Sequence, residues 1–259
     1  MGIAARTCPL AAVANYPHAP PHTAMNLTPP PSLTNGNHRF WEEDPWRVLR
    51  IMSEFVESFE EMSQVPPGIT IFGSARTPES DPYYQAAQHM GRRLVKQGFT
   101  VITGGGPGIM EAANRGAAEV ERGMSVGLNI QLPQEQAPNL HAGVQVNFRY
   151  FFARKVCLAK YSTGFAFFPG GFGTLDEFAE IITLVQTERI PRFPLVLFGK
   201  QHWQGFIQWI EQTLLPTGMI SPGDTQLFHL TDDVEEAVDW FLDFRRLSGT
   251  PRKVPRAFR

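Results

Sequence analysis

Pro169-Gly170-Gly171-Phe172-Gly173-Thr174-Leu175-Asp176-Glu177 follows an unbroken apolar run, Gly164-Phe165-Ala166-Phe167-Phe168, and precedes Phe178, Ile181, Ile182 and Val185. The run has the length and bulk of a buried strand. The later apolar residues, with Leu175, recur at helical spacing. The glycines therefore mark a turn from the carboxyl end of a strand into the amino end of a helix. Backbone N–H groups point outward at such a turn, and the helix dipole favours an anion there. Gly170, Gly171 and Gly173 let a phosphate approach the backbone closely, and Thr174 adds a hydroxyl donor. Glu177 lies one turn further on, so the expected site is an anion cradle with a carboxylate beside it. A second reading stays open, because Thr174-x-x-Glu177 also fits a capping box that needs no chemistry. Pro-Gly-Gly-x-Gly carries more glycine than a cap requires. Glu180 falls on the same helical face as Glu177 and is a second candidate to face the pocket.

The same strand–turn–helix pattern extends outward in both directions. After Asp44-Pro45, an N-cap and first-turn proline, the residues Val48, Met52, Phe55, Phe59 and Met62 form a helical stripe. Ile69 to Phe72 reads as the first strand, ending in Gly73-Ser74-Ala75-Arg76, where Ser74 offers a second wall to a ligand crevice. A helix is expected from Asp81-Pro82 to about Gln97, with Gly98 at its carboxyl end. Phe99 to Ile102 is a strand leading into Thr103-Gly104-Gly105-Gly106-Pro107-Gly108, and a helix follows from Ile109 to about Arg122. Met124 to Asn129 is a strand, Val144 to Phe148 a short extended segment, and Tyr150 to Lys160 a helix carrying Arg154 and Lys155. Pro194 to Phe198 is a further buried strand, and helices over 203–215 and 234–244 close the chain. Strands alternating with helices predict an α/β fold: a single, Rossmann-like doubly wound parallel sheet with helices on both faces. Ligands of such sheets bind at the carboxyl ends of the strands, where both glycine-rich turns fall.

The chain has 259 residues, enough for one α/β domain with a sizeable core. Residues 1–40, rich in Pro, Ala, Thr and Asn, are expected to be a disordered extension; 41–247 form the domain; 248–259 form a basic tail. The apolar stretch from Cys8 to Ala14 is too brief for a secretory leader, and Met25 offers an alternative start. Two cysteines, Cys8 and Cys157, allow no disulfide framework or CxxC metal site, which fits a cytoplasmic protein. A formal charge of −2 gives no reason to expect a nucleic-acid partner, and no apolar run approaches the ~20 residues needed to span a bilayer.

Rival motifs fail on particular residues. In a dinucleotide-binding GxGxxG register the third glycine would fall at Ile109, and no Asp or Glu follows the next strand at Leu128-Asn129-Ile130-Gln131. Neither turn ends in the Gly-Lys-Ser/Thr of a P-loop, and the histidines lack metal-ligand spacing. Arg154-Lys155 reads equally as a solvated pair. Neighbours on a helix diverge by ~100°, so one of the two at most points squarely at a ligand.

Together, Pro169 to Glu177, the Gly104 to Met110 turn and the Arg154-Lys155 pair resemble the PGGxGTxxE, GGGxxGxM and Arg-Lys motifs of the LOG ("lonely guy") proteins. These are cytokinin riboside 5′-monophosphate phosphoribohydrolases, long labelled lysine decarboxylases, and the likeness to their longer bacterial-type branch runs from about Asp44 to Phe244. The resemblance implies hydrolysis of the N-glycosidic bond of a nucleoside 5′-monophosphate, a cytokinin ribotide or AMP, with no cofactor or metal. It implies catalytic roles for Arg154 and Glu177. Substrate contacts would come from Ser74, Gly105, Gly106, Gly108, Lys155, Gly170, Gly171, Gly173, Thr174 and Glu180. A homodimer or larger homo-oligomer is implied too. The alternative is a non-catalytic nucleotide-binding protein with the same cradle. A pyridoxal phosphate decarboxylase would need a Schiff-base lysine, for which Lys155 is the nearest candidate, but its Arg neighbour and the lack of a pyridinium partner speak against it.

Overall fold

The computed structural model describes residues 46–131 and 139–248. The extension assigned to 1–40, the helix start at Asp44-Pro45 and nearly all of the basic tail fall outside the described residues. Within them the elements are α1 (Trp46–Ser63), β1 (Gly68–Phe72), α2 (Pro82–Lys96), β2 (Thr100–Thr103), α3 (Ile109–Ala118), β3 (Ser125–Ile130), β4 (Val144–Phe148), α4 (Phe151–Lys160), β5 (Ser162–Phe167), α5 (Phe172–Gln186), β6 (Leu195–Phe198), α6 (Lys200–Trp209), β7 (Phe228–Thr231) and α7 (Val234–Ser248).

The strands form one sheet in the order β4-β3-β2-β1-β5-β6-β7, and every neighbouring pair is parallel. This is the doubly wound sheet expected from the alternation of strands and helices. Successive strand side chains point to opposite faces. Accordingly Phe165, Phe167, Leu195 and Leu197 enter the core beneath α1, α4, α5 and α6. Ala166, Phe168, Val196 and Phe198 enter the core beneath α2, α3 and α7. Both faces are covered, which is why these strands read as unbroken apolar runs.

Several elements depart from expectation. β7 went unread: Phe228-His229-Leu230-Thr231 is a four-residue edge strand, half-buried and carrying a histidine. The helix expected over 203–215 begins earlier, at Lys200, and slackens into a π-turn over Ile210–Leu214. The stripe on α1 splits. Met62 is fully buried and Phe55 and Phe59 pack on the core, but Val48 and Met52 are exposed, along with Leu49 and Val56.

Two helix contacts set the frame for the turns. On α2 and α3 a Cβ at Gly91 would collide with the carbonyl of Ala113, and one at Gly116 with the carbonyl of Gln88. The two backbones therefore touch at reciprocal glycines. On the other face, Glu54 of α1 accepts hydrogen bonds from the N–H groups of Arg149 (2.9 Å) and Tyr150 (3.1 Å). These open α4, whose own N-cap side chain supplies none, and a carboxylate suits a helix amino end.

Gly116→Val is expected to push α2 from α3 and to destabilise the fold by about 1–3 kcal/mol or more, as overpacking does. Urea unfolding of both chains checks this, and an unchanged midpoint would show that the helices can part at no cost.

Candidate active site

The chain leaves β1 in one direction across the sheet and leaves β5 in the other, so a crevice opens between their carboxyl ends. The cleft there holds about 490 Å3 and is lined by residues 72–76 from the end of β1, by Gly104 and Met110, by Arg154, and by Gly171, Phe172, Gly173, Thr174 and Glu177.

The wall formed by 169–174 is built from backbone. Phe168 N–H donates to Phe72 O (2.9 Å) and Ser74 N–H to Pro169 O (3.0 Å), which ties the ends of the two strands together. Gly170 is required sterically, because a Cβ there would strike the Thr174 hydroxyl. Its N–H donates to His202 Nε2 at 3.4 Å, and burial pushes that imidazole below its usual range. Gly171 and Gly173 are different. A Cβ on either would meet nothing within 4 Å. No packing of the protein itself asks for glycine at these positions, and what they leave bare is the amino end of α5.

Thr174 is not a cap. The N-cap of α5 is Gly171, with no side-chain bond, and Thr174 sits inside the first turn with its N–H on Gly171 O (3.0 Å). The capping-box reading of Thr174 and Glu177 is thereby corrected. Both side chains are buried, each 5% exposed, and both border the cleft.

Glu177 lies among charges. Lys155 Nζ stands 3.4 Å from its Oε2, and Arg154 Nη2 stands 3.9 Å from its Oε1. Burial raises the Glu177 carboxyl above the ordinary range, while Lys155 and then Arg154 pull it back down. Arg154 crosses the face of Phe151, 5.3 Å from the ring centre, and its Nε is buried without a partner among the described residues. Burial lowers its guanidinium from the usual value, with Glu177 and Asp176 opposing. Arginine still keeps its proton throughout the working pH range.

The adjacent pair thus divides its work. Arg154 borders the cleft; Lys155 turns behind α5 to reach Asp176 (2.9 Å) and Glu180 (2.8 Å) as well as Glu177. Neither Lys155 nor Glu180 borders the cleft. The second glycine turn also differs from expectation. Gly105, Gly106 and Gly108 are buried away from the cleft, and Gly104 alone of that run lines it. Gly108 has a positive φ of 67° and lies where a Cβ would strike Ser74 O, so it lets α3 back onto the end of β1. The turn is held by Asn114, unread in the sequence. Asn114 accepts from Thr103 Oγ1 (2.6 Å) and Asn139 Nδ2 (2.9 Å) and donates to Ser125 Oγ (2.7 Å), while Gly105 N–H donates to Thr103 Oγ1 (3.0 Å). Its partners come from other elements, so spacing carried no signal for it. Ser74 lies in the cleft wall as expected; Phe72, Arg76, Met110 and Phe172 join it unread.

A family model described as a possible lysine decarboxylase matches residues 110–241, half of the chain. The chain belongs to this family. A rice relative named as a probable cytokinin riboside 5′-monophosphate phosphoribohydrolase is 30% identical over 158 residues, covering 60% of this chain and 63% of its own. The chain therefore spans less than two thirds of that relative. A Mycobacterium tuberculosis protein named as a cytokinin riboside 5′-monophosphate phosphoribohydrolase is 27% identical over 167 residues, covering 63% of this chain and 88% of its own. Among solved structures, an X-ray structure from the Northeast Structural Genomics Consortium superposes with a TM-score of 0.53 at 24% identity, covering 68% of this chain and 99% of that one. The molybdenum cofactor carrier protein of Chlamydomonas reinhardtii superposes at 0.51 with 22% identity, covering 70% and 99%. Both likenesses concern the fold alone.

The family's description implies pyridoxal phosphate, and the cleft does not fit it. Among the described residues no lysine borders the cleft, and the ammonium of Lys155 is engaged by three carboxylates. A Schiff base would have to break that cluster.

Lys155→Met removes the cation that most strongly holds Glu177 ionised. The Glu177 carboxyl is expected to rise further. A carboxyl-labelled NMR titration reads this directly. An unmoved titration would show that Lys155 contributes only packing.

Proposed function

We propose that this cleft hydrolyses the N-glycosidic bond of a nucleoside 5′-monophosphate, releasing the free base and ribose 5-phosphate. The observation that carries the reading is the bare amino end of α5, where Gly171 and Gly173 leave open space, one turn from the buried Glu177 and facing Arg154. The phosphate accepts from the N–H groups of the 171–174 turn and from the Thr174 hydroxyl. That grip holds C1′ against Glu177.

As the C1′–N bond breaks, its electron pair leaves with the base and C1′ becomes oxocarbenium-like. Ionised Glu177 stabilises the positive carbon and takes a proton from the water that attacks it. The departing base takes a proton from solvent and Glu177 returns the one it accepted, so one water is consumed overall. Arg154, which cannot act as a base, steadies the electron-rich base as it leaves. The names of the rice and mycobacterial relatives support a cytokinin ribotide as substrate, and AMP presents the same bond. The setting proposed is cytoplasmic; among the described residues no helix is long and apolar enough to cross a membrane. The exposed Leu49, Met52 and Val56 on α1 and Phe151 and Phe152 on α4 give the proposed homo-oligomer a contact surface. A monomer in sedimentation equilibrium would remove that part of the proposal.

Purified protein incubated with AMP and with isopentenyladenosine monophosphate is expected to release free base from at least one of them. Glu177→Gln should lower the rate about 10²- to 10⁴-fold while the nucleotide still binds. Binding without release in the parent chain would favour the non-catalytic nucleotide binder. Release that survives Glu177→Gln unchanged would remove Glu177 from the mechanism.

A further inference from the structure

The cleft holds a second guanidinium that the mechanism above does not use. Arg76 follows the end of β1, borders the cleft and is exposed to solvent. No carboxylate pairs with it among the described residues. By contrast, Arg92 pairs with Glu119, Arg93 with Glu235 and Arg115 with Glu79.

Its backbone, by contrast, is fixed. Arg76 N–H donates to Ser74 Oγ (3.1 Å), and Ser74 N–H is bonded to Pro169 O (3.0 Å). A Cβ on Gly170 would stand 3.2 Å from Ser74 N, so this strand end lies against the bare turn at the start of α5. Arg76 is therefore tethered beside the helix amino end, with a long side chain free to swing over it. Arg154 is placed differently, half-buried beside Glu177 at the reacting end of the cleft. Two guanidiniums thus border one cleft in different states: one half-buried beside Glu177, one exposed, without a carboxylate partner among the described residues, and next to the backbone donors.

We infer that Arg76 closes over the 5′-phosphate held on the 171–174 turn and sets the preference for a monophosphate over the free nucleoside. The inference rests on the nucleotide reading of the cleft. A guanidinium gives phosphate two parallel N–H donors, which a lysine ammonium does not. The contact is exposed, so salt should weaken it. It is made equally in ground and transition states, so it should act on binding and leave the chemical step alone.

The experiment compares the parent chain with Arg76→Ala and Arg76→Lys on AMP and adenosine, by base release and by calorimetric binding. Arg76→Ala is expected to raise KM for AMP about 10- to 100-fold with kcat nearly unchanged. Handling of adenosine should not change, the rise of KM with added salt should flatten, and Arg76→Lys should recover part of the loss. An unchanged KM for AMP, or an equal loss on adenosine, overturns the inference. If the parent chain binds AMP but releases no base from it or from isopentenyladenosine monophosphate, the hydrolase reading falls, and weaker AMP binding by Arg76→Ala still upholds Arg76 as the phosphate clamp. If the parent chain neither binds nor cleaves either nucleotide, both are overturned. Because the Arg76 side chain is exposed, the melting temperature should be nearly unaltered, which separates loss of binding from loss of fold.

Discussion

β1 and β5 lie side by side, and the chain departs from them in opposite senses. Everything at the site follows from that divergence. Here the connections part, and the strand ends are stitched only by Phe168 to Phe72 and Ser74 to Pro169. The gap admits a ligand, and the amino end of α5 faces into it because α5 begins where β5 stops. A cleft placed this way is dictated by winding order before any side chain is chosen.

The electrostatics then make the cleft a place for chemistry. Three carboxylates in one stretch of α5, Asp176, Glu177 and Glu180, would repel one another, and burial of Glu177 alone would favour its neutral form. Lys155 sits among all three and Arg154 completes the balance from the cleft side. The two cations oppose the rise that burial imposes on the Glu177 carboxyl without locking it in a bidentate salt bridge, since 3.9 Å to Arg154 is too long for a hydrogen bond. It therefore retains acceptor capacity toward the cleft.

How much of this the chain disclosed in advance depended on how local each signal was. The glycine turns, the buried runs 69–72 and 164–168 and the helices after them are signals carried within a few residues, and they placed the sheet and its carboxyl-end crevice. Arg154 and Lys155 were legible as residues but not as a division of labour, because a helical angle says that neighbours diverge and not which one faces inward. Asn114 was hidden, since its partners Thr103, Ser125 and Asn139 lie on other elements. β7 was hidden for another reason: four residues with a histidine among them do not make an alternating or continuous apolar pattern. The capping-box reading failed because the Gly171 backbone opens α5 three residues before Thr174.

The bond from Glu54 to the first N–H groups of α4 has a bearing on where this molecule can be cut. The sheet proper starts at Gly68 and the family match at residue 110, so a shortened chain beginning after Ser63 would keep every strand. It would also strip the lid from the helix that presents Arg154, leave two amides at Arg149 and Tyr150 unanswered, and uncover Cys157 and Tyr161, which bond to Ser58 and Phe59. The working unit accordingly includes a helix that does not itself border the cleft.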